Sequence, residues 1–345
     1  MSEFTIEENS DLQPLNTLAI PAKARYLVTV SNDAELEEAV EFAKGKGLRV
    51  FPLGSGSNIV LANEVLEAVV VRLETTGISM DEKKQTHTDI TVNAGHIWDE
   101  LVQWSVENDL AGIESMTIVP GTVGAAPVQN VGCYGQEVSE TITRVRAYDT
   151  DKQAWVTLSN ADCRFGYRDS LFKTAEGKRF IITQVSFRLV SGETAPVPQY
   201  ATLQAELVRR GIEGRPTLHQ IRDALIAVRT SRLPDPAKVP TAGSFFHNPI
   251  VPAEVYLELV KKNPGMPHFP VPDARVKLLA PWLIDQCGLK GYEKNGIGMY
   301  EKQAVALINP GKRPGKEVIE FRDMVTEKVQ ERFGIALRME PELVV

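Results

Sequence analysis

Apolar residues near the start of the chain follow the spacing of a strand, then of a helix, then of a strand again. Residues 26–30 (YLVTV) and 48–53 (LRVFPL) are short apolar runs and predict two strands. Residues 33–47 predict a helix between them. The apolar positions of that helix are Leu36, Ala39, Val40 and Ala43. The order strand, helix, strand indicates a small α/β unit.

A similar pattern returns over residues 89–190. The strand DITVNAG at 89–95 precedes an amphipathic helix that ends near Asn108. We expect Ile97, Leu101, Trp104 and Val106 to form the apolar side of this helix. Further strand-like runs occupy residues 143–150, 154–159 and 179–190. The region therefore predicts a second α+β unit.

The remaining chain opens with a predicted linker at 192–199, then two helices, the second with Ile221, Leu225 and Val228 on one face. Prolines in LPDPAKVP indicate a boundary near Asp235. Beyond it we predict a short helix (280–288), a strand (304–309), a long helix (315–334) and an extended end. The inward side of the long helix would carry Val318, Phe321, Val325 and Val329. The predicted domains are 15–80, 81–234, 235–334 and a terminal strand at 335–345.

Composition excludes several classes of protein. The chain has 345 residues, 43% of them hydrophobic, with a formal charge of −7 and no basic run, which argues against a general nucleic-acid or anionic-membrane surface. Three widely spaced cysteines suit reduced thiols. The polar start resembles no signal peptide, and no apolar run has the length of a membrane span. Five histidines without HxxxH or HExxH spacing predict no metal site. We expect a soluble, cytoplasmic protein.

The most unusual stretch is IVPGTVGAAPVQNVGCYG at residues 118–135, which holds four glycines and two prolines. Glycine permits positive φ or close approach of the backbone, and proline fixes φ, so this loop is shaped to lie against something flat or multiply anionic. Gln129 and Asn130 supply amide groups. A buried crossover between strands is the alternative interpretation.

A second glycine-rich segment, GSGSN at residues 54–58, follows a predicted strand. Ile59 stands where a Rossmann fingerprint needs its third glycine, and an extended stretch follows instead of a helix, so that fingerprint is rejected. The turn remains rich in N–H and hydroxyl donors, which suits a diphosphate. A plain hairpin turn is the alternative.

Two side chains elsewhere suggest chemistry. Arg168 follows Tyr167 in the turn FGYRDS, and arginine grips carboxylates and phosphates with two parallel hydrogen bonds, although a lone arginine is more often a surface ion pair. Ser244 follows Gly243 in TAGSFFHNP; serine beside glycine is usually a turn residue. Without a GxSxG elbow the sequence does not support hydrolase chemistry.

Taken together and in order, seven motifs resemble those of the UDP-N-acetylenolpyruvoylglucosamine reductase family. The resemblance extends from residue 15 to the end of the chain, and Tyr200 with the long stretch at 250–300 resembles the larger branch of that family. The motifs are GSGSN (54–58), VPGTVGAAPVQNVGCYG (119–135), CRFGYRDS (163–170), RLPDP (232–236), AGSFFHNP (242–249), WLIDQCGLKG (282–291) and EPE (340–342).

The resemblance implies an α+β fold with a two-part FAD-binding domain of the vanillyl-alcohol-oxidase type and a carboxy-terminal α/β substrate-binding domain. GSGSN would hold the FAD diphosphate, and the 119–135 loop would run along the diphosphate and isoalloxazine. The implied cofactor contacts are Gly54, Ser55, Gly56, Ser57, Asn58, Pro120, Gly121, Gly124, Gln129, Asn130, Gly132, Tyr134 and Gly135.

The implied activity is NADPH-dependent reduction of UDP-N-acetylglucosamine enolpyruvate to UDP-N-acetylmuramate, a step of peptidoglycan synthesis and so of cell shape and division. By family analogy, Arg168 would grip the substrate carboxylate, protonated Glu342 would hydrogen-bond the developing enolate, and Ser244 would protonate the carbon next to the one that receives hydride. The implied substrate contacts are Tyr167, Tyr200, Arg232, Asn248 and Gln303.

The chain departs from the family pattern at a few positions. Ala125 and Ala126 stand where relatives can have serine, and Arg232 stands where relatives often have lysine. Cys133 replaces a common alanine; a small buried filler is favoured over a reactive thiol.

Two rival functions stay open at the level of sequence. An FAD oxidase of the same fold would reoxidise rapidly with oxygen and would leave the Ser244 and Glu342 motifs unexplained. A non-catalytic sensor of UDP-sugars or flavin would not need Arg168, Ser244 and Glu342 together. A monomer is the simplest expected state.

Overall fold

The computed structural model describes residues 5–192 and 196–345. Met1–Phe4 and Glu193–Ala195, which include part of the predicted 192–199 linker, lie outside the described residues. The chain divides into two compact units. The first comprises the chain up to Ser10, Ala24–Ser55 and Glu67–Thr230, and the second comprises Asp11–Lys23, Gly56–Leu66 and Ser231–Val345. The linear limits near 80, 234 and 334 stay predictions.

In chain order the strands are β1 (Ile6–Asp11), β2 (Lys23–Val30), β3 (Arg49–Leu53), β4 (Ile59–Leu61), β5 (Val65–Leu73), β6 (Ile78–Lys83), β7 (His87–Asn93), β8 (Leu110–Ala111), β9 (Gly132–Cys133), β10 (Gln136–Glu137), β11 (Ile142–Asp149), β12 (Ala154–Ser159), β13 (Phe180–Ser191), β14 (Thr241–Ser244), β15 (Ile250–Pro252), β16 (His268–Val271), β17 (Arg275–Leu278), β18 (Glu293–Lys294), β19 (Ile297–Met299), β20 (Ala306–Ile308) and β21 (Glu342–Val344). The longest strands belong to the first unit, which also contains the short strands β8, β9 and β10.

The α-helices are α1 (Asp33–Lys46), α2 (Trp98–Glu107), α3 (Ala201–Arg209), α4 (Leu218–Arg232), α5 (Ala253–Lys262), α6 (Ala280–Gln286) and α7 (Gly315–Phe333). Six of these seven helices of the described residues lie at predicted positions, whereas α5 was not predicted.

The first unit contains a sheet with strand order β1-β2-β5-β3, in which β3 and β5 run parallel. Helix α1 begins at an Asn32 cap, whose side chain accepts from the Glu35 N–H at 3.0 Å, and ends at Gly47 in the left-handed conformation. Its predicted apolar side is confirmed, because the four expected residues are buried in one cluster with sheet residues such as Val28 and Val69.

A second sheet of the first unit has the order β12-β11-β13-β7-β6, and β8 pairs with β13. Helix α2 buries Trp98 and Leu101 in the core of this sheet, and it buries Val106 in a separate cluster with residues of α3 and α4. The predicted inward position of Ile97 is wrong: Ile97 is 43% exposed, whereas Trp98 is 1% exposed. Ile97 precedes the helix as its cap, so the apolar side starts one residue later.

The second unit contains the sheets β14-β20-β19-β18 and β15-β17-β16, together with the parallel pair β21-β4. Helix α7 buries the four predicted residues, and its first residue, Gly315, lies so close to Leu61 that an added Cβ would be 1.7 Å from the Leu61 carbonyl oxygen. The predicted extended end is confirmed by β21.

Searching residues 5–192 and 196–345 finds no helix with the length and hydropathy of a bilayer span. The same described residues contain no group of three His, Cys, Asp or Glu side chains arranged to hold a metal ion.

Candidate active site

The glycines of the 118–135 loop serve the two purposes that the sequence predicted. Gly121 and Gly135 have φ values of 147° and 88°. An added Cβ at Gly124 would lie 2.6 Å from the Ala94 Cβ, and one at Gly132 would lie 2.6 Å from the Gln136 carbonyl oxygen. Side chains at these positions would strain or displace the backbone, so the loop conformation depends on glycine.

Backbone hydrogen bonds hold this loop against the segment that joins β7 to α2. The Val123 N–H donates to the His96 carbonyl and the Gly124 N–H to the Ala94 carbonyl, each at 2.9 Å, and the Trp98 N–H donates to Gly121 at 3.1 Å. The alternative of a fully buried crossover is not observed, because Pro120 is exposed.

The GSGSN turn joins β3 to the strand β4, which confirms the rejection of a Rossmann loop. An added Cβ at Gly54 would lie 2.8 Å from the Thr122 Oγ1, so the start of the turn packs against the 118–135 loop. Gly56 has φ +61° and an added Cβ would lie 2.1 Å from the Leu15 carbonyl oxygen. The GSGSN turn has no ionisable side chain, and Ser55 in it is exposed. Both features are compatible with binding of an FAD diphosphate.

Asn130 acts as a scaffold of the loop. It is 1% exposed and donates its two amide hydrogens to Glu137 Oε2 at 2.8 Å and to the Gly166 carbonyl at 3.0 Å. Its Oδ1 accepts from the Ser139 N–H at 3.0 Å. Both amide hydrogens of Asn130 are therefore used within the protein, and its predicted contact with FAD stays a prediction.

Arg168 occupies a tight turn between Gly166 and Asp169, which exchange two backbone hydrogen bonds, and it has φ +54°. Its Nη2 donates to the Gly132 carbonyl of the glycine-rich loop, and its guanidinium lies 5.4 Å from the Tyr167 ring centroid. The two sequence motifs that suggested chemistry in this unit thus contact each other.

Tyr134 and Tyr200 also pack together. Their ring centroids are 5.2 Å apart with an interplanar angle of 85°, an edge-to-face arrangement. Tyr200, which is 36% exposed, immediately precedes α3. The ring of Tyr134, a predicted cofactor contact, therefore packs against the ring of Tyr200, a predicted substrate contact.

Cys133 lies beside an arginine that the sequence analysis did not select. Its Sγ donates to the Ser115 carbonyl at 3.1 Å and receives Nη1 of Arg229 at 3.8 Å. Burial raises the pKa of the Cys133 thiol, an effect larger than the opposing influence of Arg229 and Arg168. The thiol stays protonated at neutral pH, which favours the filler interpretation. The sequence around Arg229 does not indicate a functional role, because an arginine in a helix is usually exposed to solvent.

In the second unit, the segments that carry Ser244 and Glu342 pair as antiparallel chains. Phe246 bridges Met339, the Glu340 N–H donates to the Phe245 carbonyl at 2.9 Å, and Ser244 itself is exposed at the end of β14. The Glu342 N–H donates to the Asn58 carbonyl at 2.9 Å. One strand network therefore connects three predicted site segments.

The other predicted substrate contacts occupy ordinary structural positions. Asn248 Oδ1 accepts from the Ala280 N–H at 2.9 Å, at the start of α6. Gln303 lies in the turn before β20, where its N–H donates to Tyr300 at 3.2 Å, and Arg232 is the exposed last residue of α4. Their roles toward a substrate stay predictions.

Two family profiles match the chain. Residues 24–157 match an FAD binding domain, and residues 235–344 match the carboxy-terminal domain of UDP-N-acetylenolpyruvoylglucosamine reductase. A crystal structure of UDP-N-acetylenolpyruvylglucosamine reductase from Thermus caldophilus superposes with a TM-score of 0.69, covering 99% of this chain and 100% of that one at 23% identity. The predicted α+β fold with an FAD-binding part and a carboxy-terminal domain is confirmed.

Curated sequences give higher identity over comparable lengths. The UDP-N-acetylenolpyruvoylglucosamine reductase of Dechloromonas aromatica is 41% identical over 336 residues, 96% of this chain and 98% of that protein. The reductase of the same name from Ralstonia nicotianae is 40% identical over 334 residues, 96% of each chain. At this identity and coverage, the chain belongs to the UDP-N-acetylenolpyruvoylglucosamine reductase family.

Proposed function

We propose that this chain reduces the enolpyruvyl group of UDP-N-acetylglucosamine enolpyruvate with electrons from NADPH, giving UDP-N-acetylmuramate for peptidoglycan synthesis. Family membership makes it an FAD-dependent oxidoreductase. FAD, when bound, would supply the hydride chemistry between NADPH and the terminal vinyl carbon of the substrate. The steps assigned below to individual residues are proposals for this chain.

The observation that carries the proposal is the pairing of Phe245 with Glu340, which connects the Ser244 and Glu342 segments in one unit of the protein. Ser244 donates the proton that completes reduction of the double bond, at the carbon next to the one that receives hydride. A serine hydroxyl is a weak acid, so the step requires a strongly basic carbon centre. Glu342, in its protonated form, donates a hydrogen bond to the carboxylate of the enolate-like state.

Arg168 stabilises the negative charge that develops on the substrate carboxylate. A guanidinium is suited to that role because it offers parallel donors and remains charged. Its attachment to the Gly132 carbonyl and its position over Tyr167 support the assignment, since these contacts restrict the side chain before a substrate arrives.

We assign contacts with the nucleotide end of the substrate to Tyr200, Asn248 and Gln303, and we propose Tyr167 and Arg232 as further substrate contacts. The edge-to-face contact of Tyr200 with Tyr134 supports an orienting role for that ring. The Oδ1 atom of Asn248 accepts the hydrogen bond from the backbone N–H of Ala280 at the start of α6. This bond leaves the amide hydrogens of Asn248 for a ligand.

We also propose that the enzyme acts as a cytoplasmic monomer without nucleic-acid or membrane partners, and that its product serves wall growth, cell shape and division. The formal charge of −7 supports the absence of nucleic-acid and anionic-membrane partners. Light scattering at working concentration measures the mass, and a dimer mass would contradict the monomer.

A visible spectrum of the purified protein, followed through two anaerobic additions, tests the central proposal. NADPH should bleach the flavin bands, and the enolpyruvyl sugar nucleotide should then restore them. A protein that takes up no FAD ends the proposal. Bleaching that only oxygen reverses would support an FAD oxidase instead.

A further inference from the structure

The segment Ala94 to Ile97, between β7 and α2, lies at the place where both glycine-rich segments meet. His96 accepts the Val123 N–H through its carbonyl, and Ile97 pairs with Thr122 in an isolated bridge. Thr122 Oγ1 is the atom that a Cβ added at Gly54 would approach to 2.8 Å. His96 is therefore next to the contact between the GSGSN turn and the 118–135 loop.

The backbone donors of this part of the loop are already used. The N–H groups of Val123, Gly124 and Ala125 donate to His96, Ala94 and Thr122 at 2.9, 2.9 and 3.0 Å. A diphosphate placed here needs hydrogen-bond donors, and these three amides are not available to it. Donors for the diphosphate must therefore come from other groups nearby, such as the GSGSN turn and side chains beside the loop.

The His96 ring has unused hydrogen-bonding capacity. Both of its ring nitrogens are buried and have no hydrogen-bond partner among the residues that the structure describes. A buried polar group without a partner destabilises a protein, so such a pair of atoms indicates a ligand contact. Burial lowers the pKa of His96 and outweighs the opposing effect of Glu100, so the ring is neutral and carries one N–H donor.

Charged groups do not compete for this ring from the neighbouring segments. Residues 118–125 and 54–58 contain no ionisable side chain. Glu100, one helical turn away on α2, is the charged residue that acts on it. Neither the loop nor the turn therefore offers the imidazole a carboxylate partner.

We propose that His96 is a cofactor-binding residue that donates a hydrogen bond from its ring to a phosphate oxygen of the FAD diphosphate. The inference rests on the proposed FAD-dependent function. It adds a side-chain donor beside a stretch of the loop, residues 123–125, whose amides are occupied. Hydrogen bonds from a neutral donor to an anionic oxygen are short and strong, so the contact contributes substantially to cofactor affinity.

The test is the affinity of the apoprotein, prepared from the holoenzyme, for FAD, measured by quenching of flavin fluorescence. His96→Ala should weaken FAD binding about ten- to hundredfold. His96→Gln, which keeps a side-chain N–H, should stay within about threefold of the parent. His87→Ala is the matched control, because His87 on β7 also has a buried, unpartnered ring nitrogen among the described residues, and its FAD affinity should not change.

Phosphorus NMR of the holoenzyme gives a second readout, independent of activity. His96→Gln should shift a phosphate resonance of bound FAD, and His87→Ala should not. The proposal is overturned if His96→Ala binds FAD with the affinity of the parent. If the alanine variant does not fold, unchanged phosphate resonances of FAD bound to His96→Gln overturn it instead. Failure of the parent protein to bind FAD would instead overturn the proposed function, so the two failures are distinguishable.

Discussion

The amide of Glu340 donates a hydrogen bond to the carbonyl oxygen of Phe245 over 2.9 Å. Ser244 precedes Phe245 directly, and Glu342 is two residues beyond Glu340. This pairing fixes the offset between the proposed proton donor and the proposed carboxyl group. A slip of one residue would turn the side chains of a strand to its other face, so the register itself is part of the proposed chemistry.

Replacing Ser244 should separate the two half-reactions. In Ser244→Ala, NADPH should reduce the flavin at the parent rate, whereas reoxidation by the enolpyruvyl sugar nucleotide should slow by about 10²- to 10⁴-fold, the usual contribution of a general acid. Anaerobic stopped-flow absorbance measures both rates. Ser79→Ala, at an exposed position of β6, is the control. Reoxidation at the parent rate would remove Ser244 from the mechanism.

Replacing Arg168 should slow the same half-reaction for a different reason. Arg168→Ala loses the charge that stabilises the carboxylate, and Arg168→Lys keeps a charge without the parallel donors, so we expect lysine to give an intermediate rate. Rapid-mixing kinetics with the sugar nucleotide measures this order.

Arg168 also donates to the Gly132 carbonyl, so damage to the loop must be distinguished from loss of charge. The flavin spectrum and the rate of reduction by NADPH report on the loop. Slowing of both half-reactions to the same extent would contradict the assigned role.

Gly56 should tolerate no side chain. In Gly56→Ala, the new Cβ would lie 2.1 Å from the Leu15 carbonyl oxygen at φ +61°, so we expect a loss of about 1–3 kcal/mol in the free energy of unfolding. Urea denaturation measures the loss.

Gly45→Ala is the matched control within helix α1. An added Cβ there meets nothing within 4 Å, and alanine favours a helix over glycine by about 0.8–1 kcal/mol. Equal effects of the two substitutions would contradict the steric explanation for Gly56.

The pair of Asp99 and Arg222 should make stability depend on pH. Arg222 donates to the two Asp99 oxygens at 2.7 and 2.9 Å, and the Ile118 N–H donates to Oδ1 at 2.6 Å. Burial raises the pKa of the Asp99 carboxyl, but these hydrogen bonds together outweigh it and hold the pKa below its ordinary value. The stability that the ionised Asp99 contributes is fully present above the ordinary aspartate pKa of about 3.9. It is lost as the pH falls through the lower pKa that Asp99 has in the folded state.

Asp99→Asn should therefore lower the free energy of unfolding by about 1–3 kcal/mol at pH about 7, and the difference from the parent should shrink toward pH about 3. Urea denaturation across this range measures it. Asp33→Asn is the control, because Asp33 forms an ion pair with Arg146 in which the aspartate side chain is 54% exposed. This substitution should change the free energy of unfolding little. A difference that stays constant with pH would contradict the linkage.

Local patterns predicted much of the fold. The periodicity of α1 and α7 placed their buried sides correctly. Ile59 and the extended stretch after it were enough to reject a Rossmann loop, because these features depend on residues close in sequence. The helix start at Trp98 was misplaced by one residue, since Ile97 is equally apolar.

Contacts between distant residues could not be predicted in this way. Nothing in the residues around Asn130 shows that Glu137 and Gly166 use its amide hydrogens, and no period links β4 to β21. The orphaned nitrogens of His96 are likewise visible only once the loop is folded around them.

The parallel pairing of β4 with β21 affects how the protein can be handled. Ile59–Leu61 has Glu342–Val344 as its sheet neighbour, with residue 59 opposite 342 and residue 61 opposite 344. Proteolytic clipping of the last few residues would bare the backbone of β4, and bare strand edges recruit other chains. The clipped protein should precipitate. A soluble peptide with the sequence of residues 340–345, added during refolding, should pair with β4 and keep the clipped protein in solution.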